Sequence, residues 1–173
     1  MSVTASRVQQ EGPHSSPTGV PLGSTVRREP VACAAASLSL VAALIHLWIM
    51  PEHFAHWWVY GAYFVASALA QGLSSILVIR WPSNCFVLLA SIAGNLLVIV
   101  TYVVARTWGV PFGPGFGQVG NIEVLGMVAT AAEVGTLVAM VALLDGAYRR
   151  VTLNGILLAG ALLWGLTFWD TLP

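Results

Sequence analysis

An all-α transmembrane bundle of five helices, with the N-terminus cytoplasmic and the C-terminus outside, is what this sequence predicts. Three observations carry that expectation. First, the 173 residues are 57% hydrophobic and only 8% charged, whereas ordinary soluble domains carry about 25% charged residues. So few charges cannot build a water-facing surface. Second, five apolar runs each approach the ~20 residues needed to cross a ~30 Å hydrocarbon core. Helices are the only open elements that satisfy their backbone hydrogen bonds inside lipid. Third, six of the seven arginines fall on one side of those runs.

Residues 1 to 28 come before the bundle. They are polar and rich in Ser, Thr, Pro and Gly. Such a segment cannot bury enough apolar surface to offset its ordering entropy, so a disordered cytoplasmic tail is expected, with no role for His14. The domain proper is 29–173. The first helix is expected over 31–50. It follows Arg27 and Arg28, has no convincing cleavage site, and reads as an uncleaved span rather than a signal peptide. Pro51 should end it and start a short interfacial turn to about His56, favoured by Glu52 through the helix dipole. The second helix is expected over 57–79, the third over 84–105, the fourth over 122–144 and the fifth over 151–169. The 107–121 connection is almost uncharged and half Gly, Pro and aromatic. It should lie on the bundle or dip into it.

With the N-terminus inside, Arg7, Arg27, Arg28, Arg80, Arg149 and Arg150 are cytoplasmic and only Arg106 is outside. Trp57, Trp58, Trp108 and Trp169 then fall at the outer boundary, where indoles favour the headgroups, and Trp81 at the inner one. Net charge is zero, so no field recruits nucleic acid. The expected surroundings are the lipid bilayer and, beyond it, a homo-oligomer or larger membrane complex. Cys33 and Cys85 have no partners at metal-ligand spacing and read as buried free thiols.

Polar residues recur on single helix faces: Ser39 and His46; Tyr60, Ser67, Gln71 and Ser74; Ser91, Asn95, Tyr102 and Arg106; Glu123, Thr130 and Glu133. Spacings of 3, 4 and 7 are the one-face signature of a helix, and lipid turns such faces inward. Gln71, Asn95, Tyr102, Arg106, Glu123 and Glu133 therefore form the expected polar core. Glu133 falls near the bilayer centre, where an acid costs at least about 2.5 kcal/mol. Its candidate partners are Arg106, Asn95, Tyr102 and His46, while the leading pairing for Arg106 is Glu123. Gly61, Gly72, Gly94, Gly126 and Gly135 read as close-packing positions.

Residues 46–58 hold three of the four histidines, together with Glu52. Imidazole with carboxylate suits a transition metal ion, so His46, His53, His56 and Glu52 are candidate ligands. The competing reading is interfacial histidines bonded to water and headgroups. No hydrolase motif appears, and an enzyme is not expected. The leading expectation is an accessory or scaffold subunit. The alternatives are metal binding at the outer face and a proton-linked small-solute carrier.

The pattern Ile-His-Leu…Pro-Glu-His…His-Trp-Trp, then Gly-Ala-Tyr-Phe…Ala-Gln, then Arg-Thr-x-Gly-x-Pro-x-Gly-Pro and a helix with Thr130 and Glu133 resembles small multi-pass membrane proteins of actinobacteria. It covers roughly residues 40–145. The resemblance implies a bacterial plasma-membrane location and no mechanism, since no activity is established for that group. It also groups His46, Glu52, His53, Gln71, Arg106 and Glu133.

Overall fold

The computed structural model describes residues 28–110 and 112–169, apart from the side chains of 163 and 166–169. Most of the expected tail, His14 included, lies outside the described residues. Five helices are described: α1 (Arg28–His56), α2 (Trp58–Arg80), α3 (Cys85–Thr107), α4 (Val124–Leu143) and α5 (Gly146–Trp169). Four of them, α1 to α4, are long and apolar enough to cross a membrane. They run up and down around a square. α1 packs most closely on α2 and α4, and α3 closes the square more loosely against α4 and α2.

The reason α1 is central is written in its small residues. Ala32, Ala35, Ala36, Ser39, Ala42, Ala43 and His46 are all buried, and their spacing of 3, 1, 3, 3, 1 and 3 makes one continuous face. Small side chains let neighbouring backbones approach, which is what drives helix association in lipid. The residues buried on the neighbouring helices are often small too: Gly61, Ser67, Ala68, Ser74 and Ser75 on α2, and Ala129, Ala132 and Thr136 on α4. Gly135 allows Leu38 to lie against its backbone, at a distance where a Cβ would come 2.9 Å from the leucine Cδ1.

Several boundaries differ from expectation. α1 continues through Pro51 to His56. Proline removes one hydrogen bond of the ladder, but the final turn gains others. His53 Nδ1 lies 2.9 Å from the Ile49 carbonyl, and His56 Nδ1 lies 2.9 Å from that of Glu52. Imidazoles commonly satisfy the last carbonyls of a helix in this way. The separate interfacial turn is therefore absent, and the extended residue Trp57 alone joins α1 to α2. Helix α4 starts one residue after Glu123, which is its N-cap and not a member of its buried face. Helix α5 starts at Gly146, so Arg149 and Arg150 lie within it and the amide of Arg149 bonds the Asp145 carbonyl at 2.8 Å. Cys33 and Cys85 are free, as expected, but both are exposed. They sit on outward faces beside the buried stripes, so they are not core thiols.

The two ends of the bundle are built differently. Toward the Arg28 end, Ala32, Ala35, Val78, Leu88, Ile92, Leu137, Met140 and Leu143 form an apolar core. Arg28 then ties that end together, bonding Asp145 at 2.7 Å and Ser83 Oγ at 3.0 Å. Asn84 caps α3 through its side-chain oxygen, which accepts from the amides of Phe86 and Val87. At the Trp57 end the interior is polar. The 108–122 connection lies on this end, with the Tyr60 hydroxyl donating to the Phe112 carbonyl at 2.7 Å. The amide of Gly115 donates back to the same hydroxyl at 3.2 Å. Gly109, Gly113 and Gly117 have positive φ, which only glycine adopts without strain. Among its described residues α5 packs on α4, and none of its described side chains is buried.

Candidate functional site

Three helices converge on Glu133. Its Oε1 lies 2.9 Å from His46 Nε2 on α1 and accepts a 2.8 Å bond from Gln71 Nε2 on α2. Glu133 is 1% exposed, His46 5% and Gln71 3%, so none of them reaches solvent in this conformation. Counting from Val124 at ~1.5 Å per residue, the carboxyl lies about 14 Å into α4. That is close to the middle of a ~30 Å core. His46 faces inward because it continues the small-residue face of α1. Ser39, seven residues earlier on that face, donates to the backbone carbonyl of Gln71 at 2.9 Å and sets α2 in register.

The chemistry follows from this arrangement. A lone carboxylate at this depth is costly. Here an imidazole faces it, and the bond between them is satisfied with the proton on either partner. Gln71 donates to the same oxygen in both states. The His46 Nδ1 atom has no hydrogen-bond partner. The pair is thus a buried protonatable centre with one spare nitrogen.

Further buried polar atoms are the Tyr63 hydroxyl, which faces Thr101 and Ser67, and the unpartnered Tyr102 hydroxyl and Arg106 Nε. Tyr63 is on α2, Tyr102 and Arg106 on α3, and all are on the Trp57 side of Gln71 or Asn95. Arg106 does not pair with Glu123, contrary to the leading expectation, nor with Glu133. Among the described residues the two ion pairs are Arg28–Asp145 and His46–Glu133. The guanidinium lies 5.1 Å from the centre of the Tyr102 ring, a cation–π arrangement. One of its nitrogens occupies the space where a side chain on Gly120 would stand. The Gly120 amide bonds the Ala105 carbonyl at 3.2 Å, which draws the connection over the arginine. Glu123 meanwhile stays exposed at the start of α4. Tyr102 packs on Gly126, where a Cβ would lie 3.0 Å from the ring.

The expected metal ligands are not gathered. Among the described residues no group of three or more His, Cys, Asp or Glu side chains is placed to hold an ion. Phe64 explains much of this. Its ring stacks 4.0 Å from that of His53 and 5.5 Å from that of His46, so it touches both imidazoles. His46 turns inward to Glu133, while Glu52 and His56 are exposed. Asn95, expected beside Glu133, instead donates to the Ser91 carbonyl at 2.9 Å.

Sequence reasoning missed Tyr63 and Phe64. Tyr63 lies four residues before Ser67, a spacing that continues the polar face of α2. Phe64 carried no signal, because its role depends on where two histidines of another helix point. The class these features define is a membrane-embedded helical bundle with a buried acid–imidazole centre. Comparison with protein-family models, with curated proteins and with solved structures finds no match to this chain.

Proposed function

We propose that this is a plasma-membrane protein, oriented with Arg28 inside and Trp57 outside, whose His46–Glu133 couple takes up and releases a proton as part of a proton-linked small-solute carrier. The observation that carries the reading is the 2.9 Å contact between His46 Nε2 and Glu133 Oε1 at mid-depth in the bundle. Ionisable groups inside a membrane are retained chiefly where they serve a pathway. Two further features support it. Unpartnered Tyr102 and Arg106 atoms lie toward the Trp57 end, and apolar packing fills the other end. The couple is closed to solvent in this conformation, and the polar side from which a path would open is the Trp57 end.

Proton uptake into proteoliposomes under an imposed pH gradient tests the proposal. Glu133→Gln keeps the side-chain shape and a carbonyl acceptor for Gln71 but cannot bind the proton. Flux should fall to the protein-free background while the variant remains folded. Unchanged flux would remove the couple from any such role.

The accessory or scaffold reading is favoured by one specific observation. The bonds around Glu133 join α1, α2 and α4, as a purely structural knot would. It predicts that Glu133→Gln lowers thermal stability and that the wild-type protein moves no protons.

A further inference from the structure

We propose that the groove between α2 and α3 is a binding site for a membrane-soluble molecule bearing a neutral hydroxyl group. The site is independent of the proton-linked reading, because its residues would serve it whether or not Glu133 exchanges a proton.

The groove has a volume of ≈ 230 Å³ and lies where α3 stands off from α2. Its polar lining is Ser67, Gln71 and Ser74 on α2 with Ser91 and Asn95 on α3. Two of these residues are incompletely satisfied. Gln71 and Asn95 are 3% and 2% exposed, yet Gln71 Oε1 and Asn95 Oδ1 have no hydrogen-bond partner. Burying an amide oxygen without a donor is unfavourable, and within lipid no bulk water stands ready to supply one.

The orientation of both amides is fixed by what their nitrogens do. Gln71 Nε2 donates to Glu133 Oε1 at 2.8 Å, and Asn95 Nδ2 donates to the Ser91 carbonyl at 2.9 Å. Flipping either amide would point its oxygen at an acceptor. Both oxygens are covered in this conformation, so an occupant reaches them only where the amides turn toward the groove, and there it must donate. No acidic or basic side chain lines it, so an ammonium head would enter without a counter-charge at a depth where charge is expensive. A hydroxyl donates without that penalty. The remaining lining, including Leu73, Leu77, Phe86 and Val98, is apolar and suits a hydrocarbon body.

Gly94 stands on the exposed side of the groove wall. A Cβ at Gly94 would meet nothing within 4 Å, although the residue lines the groove. The contrast is with Gly61, Gly126 and Gly135, each pressed by a side chain. Toward the Arg28 end the groove is bridged by the Ser74 hydroxyl, which donates to Ser91 Oγ at 2.8 Å.

Photolabelling of the full chain in lipid nanodiscs tests the site. The probes are a decanol carrying a diazirine and its methyl ether, which has the same body and no donor. The alcohol should label residues on the facing sides of α2 and α3, and the ether should label them about tenfold less, the scale of one lost hydrogen bond. Gly94→Leu should abolish labelling by filling the space, with thermal stability retained because nothing stands in its way. Asn95→Leu should reduce it, and excess unlabelled decanol should compete; these two decide the matter if Gly94→Leu does not fold. Equal labelling by alcohol and ether would overturn the proposal. So would labelling indifferent to the variants, or spread evenly over α5. Disulfide cross-linking between copies through Gly94→Cys, in place of probe labelling, would assign the groove to a second copy and likewise overturn it.

Discussion

At the scale of single residues, the position that decides most is His46. It ends the small-residue face of α1, and that register points it at Glu133 on α4 rather than at the histidines nearer to it in sequence. Breaking a buried pair by removing one partner leaves the other uncompensated, a change on the order of 3 kcal/mol. Equilibrium unfolding in detergent should therefore show His46→Ala and Glu133→Ala each destabilised by about that amount. The double variant should be destabilised by clearly less than their sum, because contacting residues are not additive. Strict additivity would show that the two side chains do not interact. The inward direction of His46 was legible in the sequence from its spacing to Ser39, and the mid-membrane acid from its depth. Gln71 as the second donor to Glu133 was not. Spacing places it on a buried face but cannot choose which neighbouring helix receives its amide.

At the scale of elements, the small-residue face makes α1 the helix on which α2 and α4 assemble. Enlarging that face should push the helices apart, an overpacking effect typically of about 1–3 kcal/mol. Ala35 is 0% exposed whereas Ala34 is exposed. Thermal melts should show Ala35→Leu destabilised by that order and Ala34→Leu nearly unchanged, and equal melting of the two would contradict the packing described. The turn between α1 and α2 gives a second case. A Cβ on Gly61 would fall within the Phe54 ring, so Gly61→Val should lower the melting temperature. In the sequence, the five helices were legible from their apolar runs, but among the described residues α5 does not reach the length and apolarity of a membrane span that α1 to α4 do. The helix ends were not legible, because tertiary bonds override local punctuation. Pro51 looks like a stop, yet two imidazole-to-carbonyl bonds carry α1 past it. Arg106 and Glu123 look like partners at one boundary, yet the glycine-rich connection folds over the arginine first.

At the scale of the whole molecule, the bundle is polarised. Apolar packing and the Arg28–Asp145 contact occupy one end, and unpartnered polar atoms occupy the other. In the topology we propose from the arginine distribution, the first end faces the cytoplasm. Intact cells treated with a membrane-impermeant maleimide should label a cysteine placed at Gln118, in a background lacking Cys33 and Cys85, and not one placed at Ser83. The reverse pattern would invert the topology and send the polar interior inward. The proposed proton-linked role depends most on whether the His46–Glu133 couple exchanges a proton. Infrared difference spectroscopy of the reconstituted protein, titrated from the Trp57 side, reads that proton directly. A carboxyl carbonyl-stretch band should appear on acidification in the wild type and be missing in Glu133→Gln. A spectrum in which no such band titrates, or in which the same band persists in Glu133→Gln, would contradict it.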